Sequence, residues 1–243
     1  MVFPASIPMR LSLLSPLALA ALWAGPASAS LILTGLLGGD LSDPDNNGAA
    51  DANTNYDAVF ASDNKPGFGA PELAFNVFDN LVGPSNNKWC CDDPSPGNAL
   101  NGAGHQLDAT LNAGLHLLTH FTLTSSNDTP ARDPLNWQIL GSADGATFTV
   151  IFDSLGVNFW SSGVRNQTIR FDSGTDFPVQ TVAYSTFRYS VTESVGGTQH
   201  ALNEIEYFGT AVPEPSSGVL LGLAGVILLR GRAKRIPAPQ HPG

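Results

Sequence analysis

Cysteine is nearly absent from this chain of 243 residues, which contains only Cys90 and Cys91. Two cysteines exclude the disulfide-rich scaffolds of small secreted domains, which need several bridges. Because the two residues are adjacent, a bridge between them requires a special geometry, and the sequence leaves their state open. Without a second cysteine pair or a nearby histidine, Trp89-Cys90-Cys91-Asp92-Asp93 does not supply the ligand set of a soft-metal site.

Basic residues are also few, and they are unevenly distributed. Five of the 11 Lys and Arg lie close to the two ends of the chain. Residues 30–212 carry 6 basic and 20 acidic side chains, a net charge of −14. Such a surface repels nucleic-acid phosphates and anionic lipid. We therefore expect no nucleic-acid partner, whereas divalent cations and neutral sugars are compatible with the charge.

No apolar run reaches the roughly 20 residues that a comfortable membrane-spanning helix needs. The first short run, residues 11–23, follows Arg10 and precedes the small residues 27–29, which is the pattern of a secretory signal. We predict a signal peptide over residues 1–29, cleaved by signal peptidase after Ala29. Pro16 and Pro26 argue against the alternative, a buried helix.

A second short apolar run, residues 219–229, lies between Pro213-Glu214-Pro215 and a cluster of basic residues. A proline-rich break, an apolar run and a basic stop are typical of a membrane-sorting signal. The order resembles the PEP-CTERM sorting signal of Gram-negative bacteria that make exopolysaccharide. The resemblance implies processing by an exosortase, a membrane peptidase, near the Pro-Glu-Pro, and at least transient membrane insertion. The predicted segments are a linker at 211–217, a short hydrophobic sorting helix with its basic stop at 218–235, and a tail at 236–243.

Helical periodicity is scarce between these two signals. Short apolar or alternating runs are separated by turn residues, which is typical of an all-β domain. Residues 73–78 fit either a strand or a single helical turn. The spacing of the runs predicts a β-sandwich or jelly roll. The clearest predicted strands are 115–124, 137–142, 147–152, 167–171, 186–191 and 201–208.

Residues 30–54 are rich in Asp, Asn and Gly and contain few large apolar side chains, so we expect a loop or a loosely ordered leader. Within it, Asp43-x-Asp45-x-Asn47-Gly48 resembles the front of an EF-hand calcium loop. However, Thr54 occupies the position of the bidentate Glu, and no apolar helices flank the motif. An ordinary solvated loop is the alternative.

Three groups of short motifs follow one another in the middle of the chain. The opening group comprises 62–64, 71–74, 77–80 and 87–89, the central group 121–128, 132–134, Trp137 and 140–145, and the closing group 187–189 and 203–209. In this order they resemble the discoidin, or coagulation-factor type C, domain. The resemblance implies a galactose-binding-like jelly roll over residues 55–210. The chain departs from the family in its adjacent cysteines and its Asp/Asn-rich leader.

The resemblance also implies a structural calcium ion. In the resembled sugar-binding modules, Ca²⁺ ties the loop that contains an early Asp to the last strand. The matching metal-binding positions are Asp79, the backbone from Asn80 to Lys88, and Glu204. Calcium takes about six to eight oxygen ligands, which carboxylates and carbonyls from distant segments can supply. The alternative is that Asp79 caps a turn and Glu204 pairs with Arg188 at the surface.

Aromatic residues in loops are the best candidates for ligand binding, because sugars stack their C–H faces on exposed rings. Trp160 lies in a Gly/Ser/Asn-rich stretch, and we predict that it forms a binding lip with Asn158 and Arg132. Trp89, which follows a turn, is a further candidate, whereas Trp137 lies in a strand pattern and is expected in the core. The alternative for Trp160 is a ring that plugs the end of the barrel.

Catalytic motifs are missing from the sequence, and we expect no enzyme. No G-x-S-x-G elbow occurs. His116 and His120 have the H-x-x-x-H spacing of zinc proteases, but the general-base Glu is replaced by Leu117. The local pattern is that of a strand, in which residues four apart lie about 13 Å from each other.

Together these inferences describe an exported surface or extracellular-matrix protein of a Gram-negative bacterium, associated with the inner membrane before processing. Its domain would bind polysaccharide or cell-envelope glycan without catalysis. A purely structural or adhesive matrix protein without a specific ligand is one alternative. A polysaccharide hydrolase, which requires two facing carboxylates, is the other.

Overall fold

A computed structural model of the chain describes residues 31–48, 54–62, 72–83, 86–91, 104–160, 163–197 and 199–213. The predicted signal peptide, Glu214 and Pro215 of the sorting motif, and the predicted sorting helix lie outside these residues. Within the described ranges, no helix combines the length and the apolar character that crossing a membrane requires.

The described residues form ten β-strands and two short 3-10 helices. The strands are β1 (Leu31–Leu33), β2 (Ala58–Ser62), β3 (Trp89–Cys90), β4 (His105–Leu111), β5 (His116–Ser125), β6 (Pro134–Ser142), β7 (Thr149–Ser154), β8 (Thr168–Asp172), β9 (Thr186–Ser194) and β10 (Ala201–Ala211). One sheet has the order β1-β8-β5-β10-β3, and the other has the order β2-β4-β9-β6-β7. All strand pairs are antiparallel. The predicted all-β jelly-roll sandwich is confirmed.

Alternation of side chains explains how the strands build one core. In β4, Leu107, Ala109 and Leu111 are buried, and the residues between them face outward. Large aromatic side chains fill the space between the sheets, and Trp137 is among them, as predicted. Burying each such side chain stabilises the fold by about 1.5–3 kcal/mol.

The six clearest predicted strands occur as β5 to β10, with ends shifted by up to three residues. Residues 73–78 follow the helical-turn alternative, because a 3-10 helix covers Ala74–Phe78. Phe78 stacks on Phe60 of β2, with ring centroids 4.3 Å apart. This contact holds the helix against the second sheet.

Residues 30–54 were expected to be a loop, but residues 31–33 form β1. Residues 36–48, which we call the leader from here on, are a loop that is fixed against the sandwich. The N–H of Leu41 donates to the carbonyl of Tyr207 at 2.7 Å, and the carbonyl of Ser42 accepts from Asp57 N–H at 2.8 Å. Asp40, Ser42 and Asp43 are buried. Just before the leader, β1 pairs with β8 at the edge of the first sheet. The leader is therefore an integral part of the described fold.

Candidate functional site

Trp160 lies in the core and not on an exposed lip. Its side chain is 4% exposed, and its indole N–H donates to the carbonyl of Gln167 at 2.7 Å. Asn158 is exposed, and its side-chain oxygen accepts from the N–H of Trp160 at 3.0 Å. A ring with both faces packed cannot stack on a sugar. The position of Trp160 matches the alternative in which it plugs the end of the sandwich.

Trp89 is likewise buried. It belongs to β3 and packs edge-on against His200, with ring centroids 4.9 Å apart. The N–H and C=O groups of the short strand pair with the beginning of β10. Trp89 therefore contributes to the core at this end of the sandwich and offers no open ring face.

Arg132 belongs to a charged group that we call the loop-end cluster: Glu72, Lys88, Asp128, Arg132 and Gln199. The guanidinium of Arg132 donates to Asp128 Oδ2 at 2.7 Å and to Gln199 Oε1 at 3.0 Å. The Lys88 ammonium lies 3.2 Å from carboxylate oxygens of both Glu72 and Asp128. The side chains of Arg132 and Asp128 are 22% and 31% exposed, so solvent reaches them. This cluster is the partly open polar surface at this end of the sandwich.

The electrostatics of the cluster favour an ionised Asp128. Burial would raise the pKa of Asp128, but hydrogen bonds from the Thr129 N–H and the Lys88 ammonium lower it below its usual value. The Lys88 carbonyl, which was predicted to be a metal ligand, accepts a long hydrogen bond from Asn76 at 3.5 Å. The ammonium group of Lys88 belongs to the loop-end cluster, where it pairs with Glu72 and Asp128.

Cys90 and Cys91 form a disulfide beside the loop-end cluster. Arg132 Nη1 lies 3.7 Å from Cys90 Sγ, and Cys91 Sγ lies 4.0 Å from Glu72 Oε2. Among the described residues, Glu72, Cys90 and Cys91 are the one group of three whose side chains are close enough together to share a metal ion. Because the two sulfurs are bonded to each other, neither is a thiolate that could bind a soft metal.

A second polar group, the acidic centre, consists of Asp40, Asp79, Glu204 and Glu206. Glu204 and Glu206 are two residues apart on β10, so their side chains leave the same face of the sheet. Asp79 follows the first 3-10 helix, and Asp40 comes from the leader. The exposed fractions are 1% for Asp40, 4% for Asp79 and 0% for both glutamates. The fold thus buries four carboxylates from three distant segments in one place.

Two of these carboxylates, those of Glu206 and Asp40, each accept two or more hydrogen bonds. Glu206 accepts from the N–H groups of Leu37 and Gly38 at 3.2 and 2.6 Å, and from the Thr122 hydroxyl at 2.6 Å. Asp40 Oδ1 accepts from the N–H and the hydroxyl of Ser42 at 2.7 and 2.6 Å. The bonds to Glu206 from Leu37 and Gly38 attach the leader to β10, and those from Ser42 to Asp40 fix the leader's own conformation.

Glu204 is different, because only one of its oxygens has a partner. Oε1 accepts from the N–H of Asn80 at 3.0 Å, whereas Oε2 is buried without a hydrogen bond. The side-chain oxygen of Asn80 is also buried without a partner. Buried oxygens of this kind normally have a donor or a bound ion.

Burial raises the pKa of Glu204 well above its usual value, and the nearby charges of Asp79, Asp40 and Glu206 raise it further. The Asn80 N–H opposes the increase. Burial also raises the pKa of Asp40, to about 6, although its bonds from Ser42 act in the opposite direction. Ionised carboxylates in this place therefore need a compensating positive charge.

The donor set fits a hard divalent cation better than a soft one, because every candidate ligand is an oxygen. The structure brings Asp79 and Glu204 together, as the resemblance implied. No three carboxylates of the acidic centre are close enough to share an ion through side-chain oxygens alone, as far as the described residues go. Carbonyl oxygens of the loop after Asp79 would have to complete a calcium shell.

The alternative to a metal site was that Asp79 caps a turn and Glu204 pairs with Arg188 at the surface, and the structure agrees with it only for Asp79. Asp79 Oδ1 does cap a turn, because it accepts from the Leu81 N–H at 2.9 Å. The pairing of Glu204 with Arg188 is wrong. Arg188 binds Asp108 through two hydrogen bonds of 2.6 and 2.8 Å on the second sheet, whereas Glu204 lies on the first sheet and is fully buried.

The two acids of the EF-hand-like motif, Asp43 and Asp45, have different surroundings in the structure. The carboxylate of Asp43 accepts from the N–H groups of Asn47 and Gly48 at 3.0 and 3.1 Å, and from the Asn80 side chain at 3.1 Å. Asp45 is exposed and accepts from the side chain of Asn47 at 2.6 Å. The first acid of the motif therefore turns toward the acidic centre, while the second points away from it.

His116 and His120 lie on β5, as the strand pattern indicated. His116 Nδ1 hydrogen-bonds the carbonyl of Gly114 at 3.0 Å. His120 stacks on Phe208 of β10, with ring centroids 4.4 Å apart. The two rings have separate partners, which is the arrangement expected of strand-face histidines.

The sequence reasoning missed Asp40, Glu206, Glu72 and Asp128. A two-residue spacing from Glu204 on a predicted strand was a usable signal for Glu206. The other three come from loops, whose positions in space the sequence pattern does not specify.

Comparisons with known proteins gave matches to structures only. No family model matches the chain, and no curated protein does. Among the solved structures, the chain is similar to CpGH89CBM32-5 from Clostridium perfringens, in complex with GalNAc-beta-1,3-galactose, at 15% identity and a TM-score of 0.45. That match covers 63% of this chain and 96% of the other.

Two further similar structures are also carbohydrate-binding modules. The family 32 module of C. perfringens NanJ in complex with galactose is 11% identical, with 62% of this chain and 93% of the other covered and a TM-score of 0.43. CBM62 from Clostridium thermocellum Xyl5A is 15% identical, with coverages of 62% and 93% and a TM-score of 0.44. The fold class of the present protein follows from its own strand pairing, which is that of a two-sheet antiparallel jelly roll. The acidic centre is buried within this fold.

Proposed function

We propose that this protein is an exported surface or matrix protein whose β-sandwich binds carbohydrate without catalysis and is stabilised by a structural calcium ion. The observation that carries the binding proposal is the loop-end cluster, a partly exposed set of fixed donors and acceptors at one end of the sandwich. A glycan of the host's own envelope or exopolysaccharide is the expected ligand, in line with the sorting signal that the C-terminal sequence resembles.

The loop-end cluster has the chemistry that recognises sugar hydroxyls. Arg132 donates only, Asp128 accepts only, and Gln199 can do both. Each is held by a neighbour, so little side-chain freedom is lost when a ligand binds. The negative charge of the chain disfavours anionic ligands, so a neutral sugar fits best.

Calcium is proposed for the acidic centre because the buried Oε2 of Glu204 has no hydrogen-bond partner. No ion pair reaches Asp40, Glu204 or Glu206 within the part of the chain that the structure describes. A cation bound by Glu204, Asp79 and loop carbonyls would offset this buried negative charge. Its role would be structural.

Export and exosortase processing are proposed from the two terminal signals. Val212 is held by a hydrogen bond of 2.9 Å from its N–H to the carbonyl of Leu115, and the next residue, Pro213, is exposed. The Pro-Glu-Pro motif thus begins directly after a residue that is hydrogen-bonded to the sandwich. Cleavage near it would leave the sandwich intact.

The glycan proposal is tested by binding of the purified protein to glycan arrays and to the host's exopolysaccharide. We expect Arg132→Ala to weaken binding by at least roughly tenfold, because charge-assisted hydrogen bonds would be lost. Asp128 would keep its contact with Lys88, so the fold should persist. Arg170→Ala is the matched control, since Arg170 pairs with Asp172 at similar exposure on β8. Absence of wild-type binding to both sources would refute carbohydrate recognition.

A purely structural or adhesive matrix protein is the competing function. The burial of Trp89 and Trp160 favours it, because neither of these aromatic residues offers a ring to a sugar. Surface attachment that is unchanged by Arg132→Ala, together with flat glycan arrays, would support this alternative.

A further inference from the structure

The leader is attached to the acidic centre by direct bonds. The N–H groups of Leu37 and Gly38 donate to Glu206, and the Leu41 N–H donates to the carbonyl of Tyr207 on the same strand. These bonds bring Asp40 against β10, with 1% of its surface exposed. Docking of the leader therefore adds a buried carboxylate to a place that already holds two buried glutamates.

Burying the carboxylate of Asp40 beside Glu204 and Glu206 is unfavourable unless a positive charge is buried with it. Asp40, Glu204 and Glu206 are all buried, so three carboxylates lie in one place that solvent does not reach. No Lys or Arg pairs with these three residues in the described ranges. Like charges at low dielectric repel strongly, so the docked leader and a bound cation should stabilise each other.

Asn80 links the leader to the cation ligands. Its backbone N–H donates to Glu204 Oε1 at 3.0 Å, and its side-chain amide donates to Asp43 Oδ2 at 3.1 Å and to Asp40 Oδ2 at 3.5 Å. Its φ of 56° lies in the left-handed region, which Asn tolerates better than most residues. One residue thus contacts both the proposed metal ligand and the leader.

We infer that a divalent cation at Glu204 and the loop after Asp79 locks the leader onto β10, with Asp40 as the coupled charge and Asn80 as the connecting residue. This inference rests on the proposed calcium site and goes beyond it, because none of the ligands proposed for that site belongs to the leader. A second observation besides the acidic residues supports a ligand: Glu204 is fully buried, and its Oε2 has no partner.

The test combines calorimetry with hydrogen–deuterium exchange on the full chain, using CaCl₂ alone or the chelator EGTA. We expect one Ca²⁺ to bind and the amides of Leu37, Gly38, Leu41 and Ser42 to exchange at least about fivefold more slowly with calcium. Amides of the sheet core, such as those of β9, should not respond and serve as an internal reference.

Two variants separate the cation site from the leader. Asn80→Gly keeps the left-handed backbone and the N–H to Glu204 but removes the side-chain bonds. It should bind Ca²⁺ within about fivefold of wild type while the leader's calcium response becomes smaller, because only the charge of Asp40 still couples the leader to the cation. Asp40→Asn should bind Ca²⁺ about fivefold or more weakly, and its leader should be more protected than that of wild type in EGTA. Asp45→Asn, an exposed leader residue, is the matched control and should behave as wild type.

The outcomes distinguish the two proposals. No calorimetric binding of Ca²⁺ by wild type would overturn both the calcium site and the locking of the leader. Binding of Ca²⁺ with unchanged exchange in the leader would overturn the locking alone. Both of these outcomes are measured on the wild-type protein, so they test the two proposals even if a variant does not fold.

Discussion

At the scale of single residues, burial decides which side chains can act in binding. The sequence offers Trp89 and Trp160 as binding candidates and Trp137 as a core residue, and the structure places all three in the core. Arg132, in contrast, is partly exposed and oriented by two partners. Among the described residues, the accessible candidate at this end of the sandwich is therefore the polar Arg132 and neither of the two tryptophans predicted to bind.

Trp160→Ala should lower the free energy of unfolding by about 3–5 kcal/mol, because it opens a large cavity and removes the bond to Gln167. Chemical denaturation monitored by circular dichroism measures the change. Leu155→Ala is the control, since Leu155 is 72% exposed and its truncation should alter stability by no more than about 0.5 kcal/mol. Loss of glycan binding at unchanged stability would show instead that Trp160 faces the ligand.

At the scale of elements, loops are fixed by buried charge pairs. The loop before β8 is held by Arg165, whose guanidinium binds both carboxylate oxygens of Asp133 and the carbonyl of Ser126. Asp133 is fully buried, and burial raises its pKa although Arg165 opposes the increase. This pair joins the loop to the beginning of β6.

Arg165→Ala should cost about 3–5 kcal/mol of stability, because it leaves the buried Asp133 without its cation. Arg170→Ala should cost no more than about 1 kcal/mol, since both partners of that pair are about 30% exposed. Urea unfolding of the two variants makes the comparison. Equal losses of stability in the two variants would contradict the argument that burial makes the Arg165–Asp133 pair the more important one.

At the same scale, the sequence pattern predicted some strands and could not predict others. Strands β5 to β10 were predictable because their apolar and β-branched runs are bounded by turn residues. Strand β3, with two residues, and β1, with three, are too short to give a pattern. They exist because β10 and β8 offer unpaired edges to them.

At the scale of the whole molecule, the described fold begins and ends close to the predicted processing sites. Cleavage after Ala29 would leave one residue before β1, and the sorting motif begins two residues after the end of β10. If both signals act, the exported product consists of little more than the sandwich and its leader.

Mass spectrometry of the secreted protein should find Ser30 as the first residue and a C-terminus near Pro213. Glu214→Ala should leave the hydrophobic tail attached and the protein in the membrane fraction, because the peptidase would no longer recognise its motif. Asp153→Ala, an exposed acid on β7, is the control and should be processed normally. An intact cytosolic product would refute the export proposal.

The all-β class, most long strands and the core position of Trp137 could be predicted from the residues alone, and the family resemblance implied the approach of Asp79 to Glu204. These features follow from local alternation and from motif order, which the linear chain records directly. Only the tertiary structure decided that Trp160 is packed, that Arg132 joins Asp128 and Gln199, and that Asp40 and Glu206 complete a buried acidic centre. Such groupings depend on which loops meet in space, because exposure and charge repulsion are properties of neighbours that lie far apart in sequence.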